Sequence, residues 1–251
     1  MSDLWEKYCT SAEKYCRYVG PDNFNYSVNI SLKYKYMYVE TPKVACSTIK
    51  TILQRMELED PGFQRDDFED LHNRDFSPLL RPQQVGNLDV LFERKDIFKF
   101  CFVRNPYTRL LSCYLDKIKG CKQQKVQVLR QLGSGQDDLD KEITFAEFVG
   151  AVIDQPVSCM DPHWRHQYYQ TFQENIHYDF IGRFEKIDHD LIIALDKISN
   201  SYKKYFGKEC RHSQQTSRQL TSYYNEQLRK QVLSKFEIDF RHFNYDENLP
   251  E

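Results

Sequence analysis

Two periodicities alternate along this chain, and the changeovers mark its elements. Tyr34, Tyr36 and Tyr38 alternate with Lys35, Met37 and Val39, the period-two pattern of a strand. Ile49, Ile52, Leu53 and Met56 then recur at helical spacing, with Ser47 or Thr48 available as the helix cap. Residues 97–103 are a nearly continuous apolar run of strand length, which suits a buried strand of a parallel sheet. Asn105-Pro106 supply an N-cap and a first-turn proline to a helix striped by Leu110, Leu111, Tyr114, Leu115 and Ile118 and ended by Gly120. Thr144 and Glu147 form a capping box for a helix over 145–153. Residues 178–184 read as a strand, Asp188 starts a helix, and a last helix covers 223–236. Residues 1–20 read as an amphipathic helix ending near Gly20-Pro21. Strands alternating with helices predict an α/β fold, a central parallel sheet flanked by helices. A single domain is expected over 1–251, with 1–30 as an N-terminal helical extension and 117–142 as a mobile insertion, rich in Lys and Gln and then in Gly, Ser and Asp.

The first changeover holds the chemistry. Between strand and helix lies Thr41-Pro42-Lys43-Val44-Ala45-Cys46. A tight loop feeding a helix N-terminus presents unpaired amides and about half a positive charge. Lys43 adds a full charge, and Ser47 and Thr48 add hydroxyl donors. A P-loop would need glycines before a Gly-Lys-Ser/Thr, and this loop has none. The second changeover sets Arg104 at the carboxyl end of its strand and Ser112 two turns into the next helix. Both are expected to reach one anion there, and a guanidinium fork suits a phosphate monoester.

TPKVACSTIK resembles the 5′-phosphosulfate loop of the Golgi-type carbohydrate sulfotransferases, and FVRNPYTRLLSCY resembles their 3′-phosphate motif. DPHWRHQ, YDFIGRFEKIDHDL and YYNEQLRKQVLSKFEIDFRHFNY resemble later blocks of the HNK-1 and chondroitin sulfotransferase group and its bacterial relatives. The resemblance implies a P-loop-like sulfotransferase fold. The activity it implies is transfer of a sulfuryl group from 3′-phosphoadenosine-5′-phosphosulfate to a carbohydrate hydroxyl, without a metal. Lys43 with the amides of Val44, Ala45, Cys46, Ser47 and Thr48 would face the phosphosulfate. Arg104 and Ser112 would hold the 3′-phosphate. Thr216, in RHSQQTSR, would lie near the nucleotide, although Gln214 stands where relatives carry Asn. The general base is read first as His72 in LHNRDFSPL and second as His163 in DPHW, since imidazole titrates near neutrality. Arg74 and Arg165 are candidates for an acidic sugar or, as most arginines, for solvent.

A net charge of −2 gives no global field for nucleic acid, so nucleotide binding has to come from local groups. The eight cysteines show no C-x-x-C and no zinc spacing, and reduced thiols are expected, with Cys46 open to a lowered pKa beside its helix. No apolar run of membrane-span length is present at the N-terminus. Against the anchored Golgi relatives, the expectation is a cytoplasmic bacterial member if full-length, and the Golgi lumen only if an anchor has been trimmed. The alternatives are a non-catalytic 3′,5′-bisphosphonucleotide-binding module and a kinase-like phosphotransferase. Neither acceptor identity nor oligomeric state is written in the sequence.

Overall fold

The computed structural model describes residues 3–63, 71–85, 87–120, 123–134, 139–206 and 219–250. The chain forms two compact units, Met1–Val103 with Thr171–His212, and Arg104–Gln170 with Ser213–Glu251.

The first unit is an α/β layer. Two helices, α1 (Asp3–Cys16) and α2 (Gly20–Ser27), precede a four-stranded sheet. The first helix stops before the predicted end, and Gly20-Pro21 open the second: Gly20 turns the chain at φ 77°, and Pro21 occupies the first turn. The strands β1 (Val28–Ser31), β2 (Tyr36–Val39), β3 (Phe98–Val103) and β4 (Phe180–Arg183) lie in chain order. β1 is antiparallel to β2, and β2, β3 and β4 are parallel. The alternation at 34–39 is therefore a strand only from Tyr36, because Lys35, at φ 52°, belongs to the turn out of β1. Helix α3 (Cys46–Leu58) buries Ile49, Ile52, Leu53 and Met56 in one core with Tyr36, Tyr38, Phe100, Leu191 and Leu195. Each such side chain contributes roughly 1.5–3 kcal/mol on burial. Leu191 and Leu195 come from the helix Ile187–Ile198, as their spacing predicts.

The outer side of β1 is bound by a later segment. The Ile30 N–H donates to the Leu80 carbonyl at 3.0 Å and the Leu80 N–H to the Ile30 carbonyl at 2.9 Å. Arg74 fastens this segment from below. Its guanidinium donates to the carbonyls of Val28 (2.9 Å) and Leu80 (3.2 Å) and to the side chains of Asn29 and Ser77. Burial lowers its pKa to about 10, which leaves it ionised at neutrality. Arg74 is a structural clamp, neither solvated nor available to an acidic sugar.

The second unit is helical. Pro106–Cys113 continues into a π-helical turn, Tyr114–Ile118. The stripe predicted for it packs Leu110, Leu111, Tyr114 and Ile118 with Phe148, Val152, Trp164, Val232 and Phe240. The predicted capping box is formed: Thr144 Oγ1 accepts the Glu147 N–H at 3.2 Å, and the Glu147 carboxylate accepts the Thr144 N–H at 2.7 Å. The last helix is divided. Asn225 caps Glu226–Lys235 after a separate turn, Leu220–Tyr223, and Glu237–His242 follows. In the 117–142 stretch a helix, Lys125–Gln131, is formed, while residues 121–122 and 135–138 lie outside the described residues. Cys9, Cys16, Cys46, Cys101, Cys113 and Cys159 are free thiols, and Cys121 and Cys210 lie outside the described residues. Among the described residues no helix is long and apolar enough to cross a membrane.

Candidate functional site

The loop entering α3 takes a conformation that its residue types do not announce. Lys43 has φ 69° and Ala45 φ 54°, two left-handed positions without a glycine. Each such residue costs of order 1–3 kcal/mol, which persists only when the surroundings over-determine it. Val44 between them is fully buried and pins the loop to the core. Ala45 is the N-cap, and among the described residues no side chain caps the helix. Neither Ser47 nor Thr48 fills that role, because both lie inside the first turn. The opening amides of α3 therefore have no intrahelical acceptor. Alternating backbone handedness turns successive N–H groups to one side, a concavity for an anion. Lys43, Ala45, Cys46, Ser47 and Thr48 are all half-buried and can be reached. Thr41, at the mouth of the same loop, has a buried hydroxyl with no hydrogen-bond partner. The donor set is cationic and amide-rich and fits a phosphosulfate. Burial, with the Glu40 charge adding to it, pushes the Cys46 thiol pKa up, against the lowered value expected beside a helix N-terminus.

Ser47 has a different partner from a helix amide. Its Oγ lies 3.0 Å from Nε2 of His72. The other ring nitrogen, Nδ1, lies 2.8 Å from Lys50 Nζ and 3.4 Å from the Tyr26 hydroxyl. Lys50 is fully buried and pairs with Glu40 at 2.8 Å, itself 2% exposed. The sequence-predicted His72 and Ser47 are thus brought together, while Lys50 and Glu40 are neighbours of this pair that sequence reasoning missed. The available signal was helical spacing: Lys50 stands three residues before Leu53, on the buried face of α3.

In the second unit, Arg104 is 4% exposed. Its backbone is held on both sides by one glutamine: the Arg104 N–H donates to Gln167 Oε1 at 2.8 Å, and its carbonyl accepts from Gln167 Nε2 at 2.7 Å. The guanidinium Nε donates to Thr108 Oγ1 at 3.0 Å. Asn105 caps the helix that follows, accepting from Tyr107 and Thr108 amides. Ser112 is half-buried on that helix.

His163 is oriented by a carboxylate. Its Nδ1 lies 2.7 Å from Asp161 Oδ1, which also accepts the His163 backbone N–H at 2.9 Å. Burial pushes the Asp161 carboxyl pKa up, but hydrogen bonds and charge from His163 outweigh it and hold the group below its ordinary value. An ionised carboxylate at Nδ1 keeps a proton there, so that the neutral form of the ring carries its lone pair on Nε2. Arg109 stiffens the segment by donating to the carbonyls of Arg165 (2.7 Å) and Pro162 (2.9 Å). Arg165, considered for an acidic sugar, is buried and bonds Met160 and Gln170. Thr216 lies outside the described residues. Among those residues no group of three or more His, Cys, Asp or Glu is arranged to hold a metal ion.

Residues 26–246 match the Sulfotransferase family, and the chain belongs to that family. It is 30% identical to carbohydrate sulfotransferase 14 of Mus musculus over 64% of this chain and 43% of that protein. It is 26% identical to carbohydrate sulfotransferase 11 of Rattus norvegicus, covering 91% of this chain and 69% of the relative. With carbohydrate sulfotransferase 8 of Homo sapiens it shares 27% identity, over 98% of this chain and 61% of the relative. The chain thus spans less than half the length of the mouse relative. No solved structure matches it.

Proposed function

We propose that this member of the sulfotransferase family is an O-sulfotransferase acting on a carbohydrate hydroxyl, with 3′-phosphoadenosine-5′-phosphosulfate as donor. The observation that carries the reading is the glycine-free, doubly left-handed loop Lys43–Ala45, which opens an uncapped α3 beside a lysine. The names of the relatives support the carbohydrate acceptor.

When bound, the donor supplies the sulfuryl group: the bond from sulfur to the nucleotide 5′-phosphate oxygen breaks as the bond to the acceptor oxygen forms. Lys43 and the amides of Val44–Thr48 neutralise the negative charge that grows on the phosphate oxygen. Such charge-assisted contacts contribute about 1.5–3 kcal/mol each. Arg104 and Ser112 are assigned to the 3′-phosphate by their motif, and Thr216 to the nucleotide by its own. For the acceptor proton, the hydrogen bonds favour His163 over His72. Asp161 leaves His163 Nε2 as the basic atom, whereas both nitrogens of His72 are taken within its own cluster. His72 is accordingly assigned to hold Ser47.

The experiment is the gain in thermal stability on adding adenosine 3′,5′-bisphosphate, ATP or AMP to wild type and Arg104→Ala, followed by sulfate transfer to glycan acceptors. Ligand that binds only the native state raises stability by mass action. A gain with the bisphosphate alone, lost in the variant, supports the donor; an equal gain with ATP, or none, overturns it. Bisphosphate binding without transfer to any glycan leaves a nucleotide-binding module and overturns the enzyme.

A further inference from the structure

We propose that Glu40 and Lys50 are positioning residues that fix the tautomer of His72 and, through it, aim the hydroxyl hydrogen of Ser47 at the anion held by the start of α3. The proposal rests on the donor reading above. It follows a chain of donors and acceptors running from Glu40 to Ser47. Glu40 and Lys50 form an ion pair at 2.8 Å in which both side chains are out of solvent. Losing one partner of such a pair strands the other charge, so the pair holds Lys50 as an ammonium. An ammonium has three donors and no acceptor. At 2.8 Å from Lys50 Nζ, His72 Nδ1 must therefore present its lone pair. The Tyr26 hydroxyl, 3.4 Å from the same atom, is a second donor that favours this state.

A neutral imidazole accepting at Nδ1 carries its proton on Nε2. That atom is 3.0 Å from Ser47 Oγ, so the ring donates and Ser47 accepts. With an oxygen lone pair occupied by the ring, the Ser47 hydrogen is turned away from His72. Ser47 sits in the first turn of α3, where the opening amides have no intrahelical acceptor and, among the described residues, no side-chain cap. Its hydroxyl is thus free to join those amides as a donor, its hydrogen kept off His72 before the ligand arrives. Pre-set donors lose no reorganisation energy when charge develops. The arrangement explains why a lysine is buried in α3: its role is to choose a tautomer, and it need not touch the ligand.

The test has two independent readouts. In ligand-free wild type at neutral pH, nitrogen NMR of ring-labelled histidine is expected to show His72 protonated at Nε2 and bare at Nδ1. Protonation at Nδ1, alone or together with Nε2, overturns the proposal. Affinity for adenosine 3′,5′-bisphosphate is then measured in Ser47→Ala, His72→Leu, their double variant and His72→Gln. Ser47→Ala and His72→Leu should each weaken binding about tenfold, and the double variant should be no weaker than Ser47→Ala, since both act through one hydroxyl. Glutamine, whose amide can accept from Lys50 and donate to Ser47, should recover most of the affinity that leucine loses. Wild-type affinity in His72→Leu, or a loss in His72→Gln equal to that of leucine, overturns it. If wild type does not bind the bisphosphate, the donor reading falls and the role of Ser47 with it. The NMR result still decides the Lys50–His72 step separately.

Discussion

Gly182 of β4 lies against the ring of Phe102, its partner across the parallel β3–β4 ladder, so closely that a β-carbon at position 182 would fall within that ring. The glycine is required by a neighbouring strand. Phe102 is 1% exposed and has little room to yield. Gly182→Ala should therefore destabilise the fold by about 1–3 kcal/mol, as overpacking does. Urea unfolding measures this, and Phe102→Leu in the same chain should recover part of the loss.

Lys43 is read as the full charge beside the α3 amides. Lys43→Ala should lower the rate of sulfate transfer by one to two decades or more, the equivalent of roughly 1.5–3 kcal/mol. Lys43 is half-buried in the loop, so folding stability should change little. A loss of stability without a loss of rate would contradict the assignment.

Ala45 sits at φ 54° as the N-cap of α3. A β-branched residue is a genuine outlier in that region, whereas glycine enters it freely. Ala45→Val should cost about 1–3 kcal/mol and weaken bisphosphate binding. Ala45→Gly should be neutral or stabilising by up to about 1 kcal/mol. Denaturation and ligand titration on the two variants give the comparison.

Asp161 has its carboxyl held below the ordinary value, burial opposing and His163 prevailing. A depressed folded pKa contributes stability that is present above the unfolded carboxylate value and disappears as pH falls through the folded value. The stability difference between wild type and Asp161→Asn should thus be largest above roughly pH 4 and shrink on acidification below it. At neutral pH the same variant should lose turnover, because an amide no longer fixes the His163 tautomer. Paired denaturation and pH–rate profiles separate the two effects.

Where periodicity is strong the sequence was sufficient. The cores of β2, β3 and α3, the Asn105 and Thr144 caps and the helix from Ile187 all follow from spacing and residue type. β1 did not, because its apolar–polar alternation, Val28-Asn29-Ile30-Ser31, is only four residues long. The left-handed Ala45 was invisible for a related reason: alanine is the residue least expected to mark a reversal of backbone handedness. Arg74 and Arg165 were misplaced, and Lys50 was overlooked, under the prior that long cations face water. Each is buried because oxygen acceptors meet it: the Glu40 carboxylate for Lys50, the Val28 and Leu80 carbonyls for Arg74, and the Met160 carbonyl with Gln170 for Arg165. Which ring nitrogen of His72 and of His163 each neighbour occupies is likewise not written in the sequence.

The two hydrogen bonds between Ile30 and Leu80 also guard the fold against other chains. An exposed outer strand is a template for adding a foreign one, and Leu80 occupies that margin of β1. The segment that shields it is anchored by Arg74 and carries His72. A variant that releases this segment would uncover a sticky sheet edge in the same event that dismantles the Ser47 contact. Self-association should therefore accompany such a lesion, and light scattering would report it before any assay of transfer.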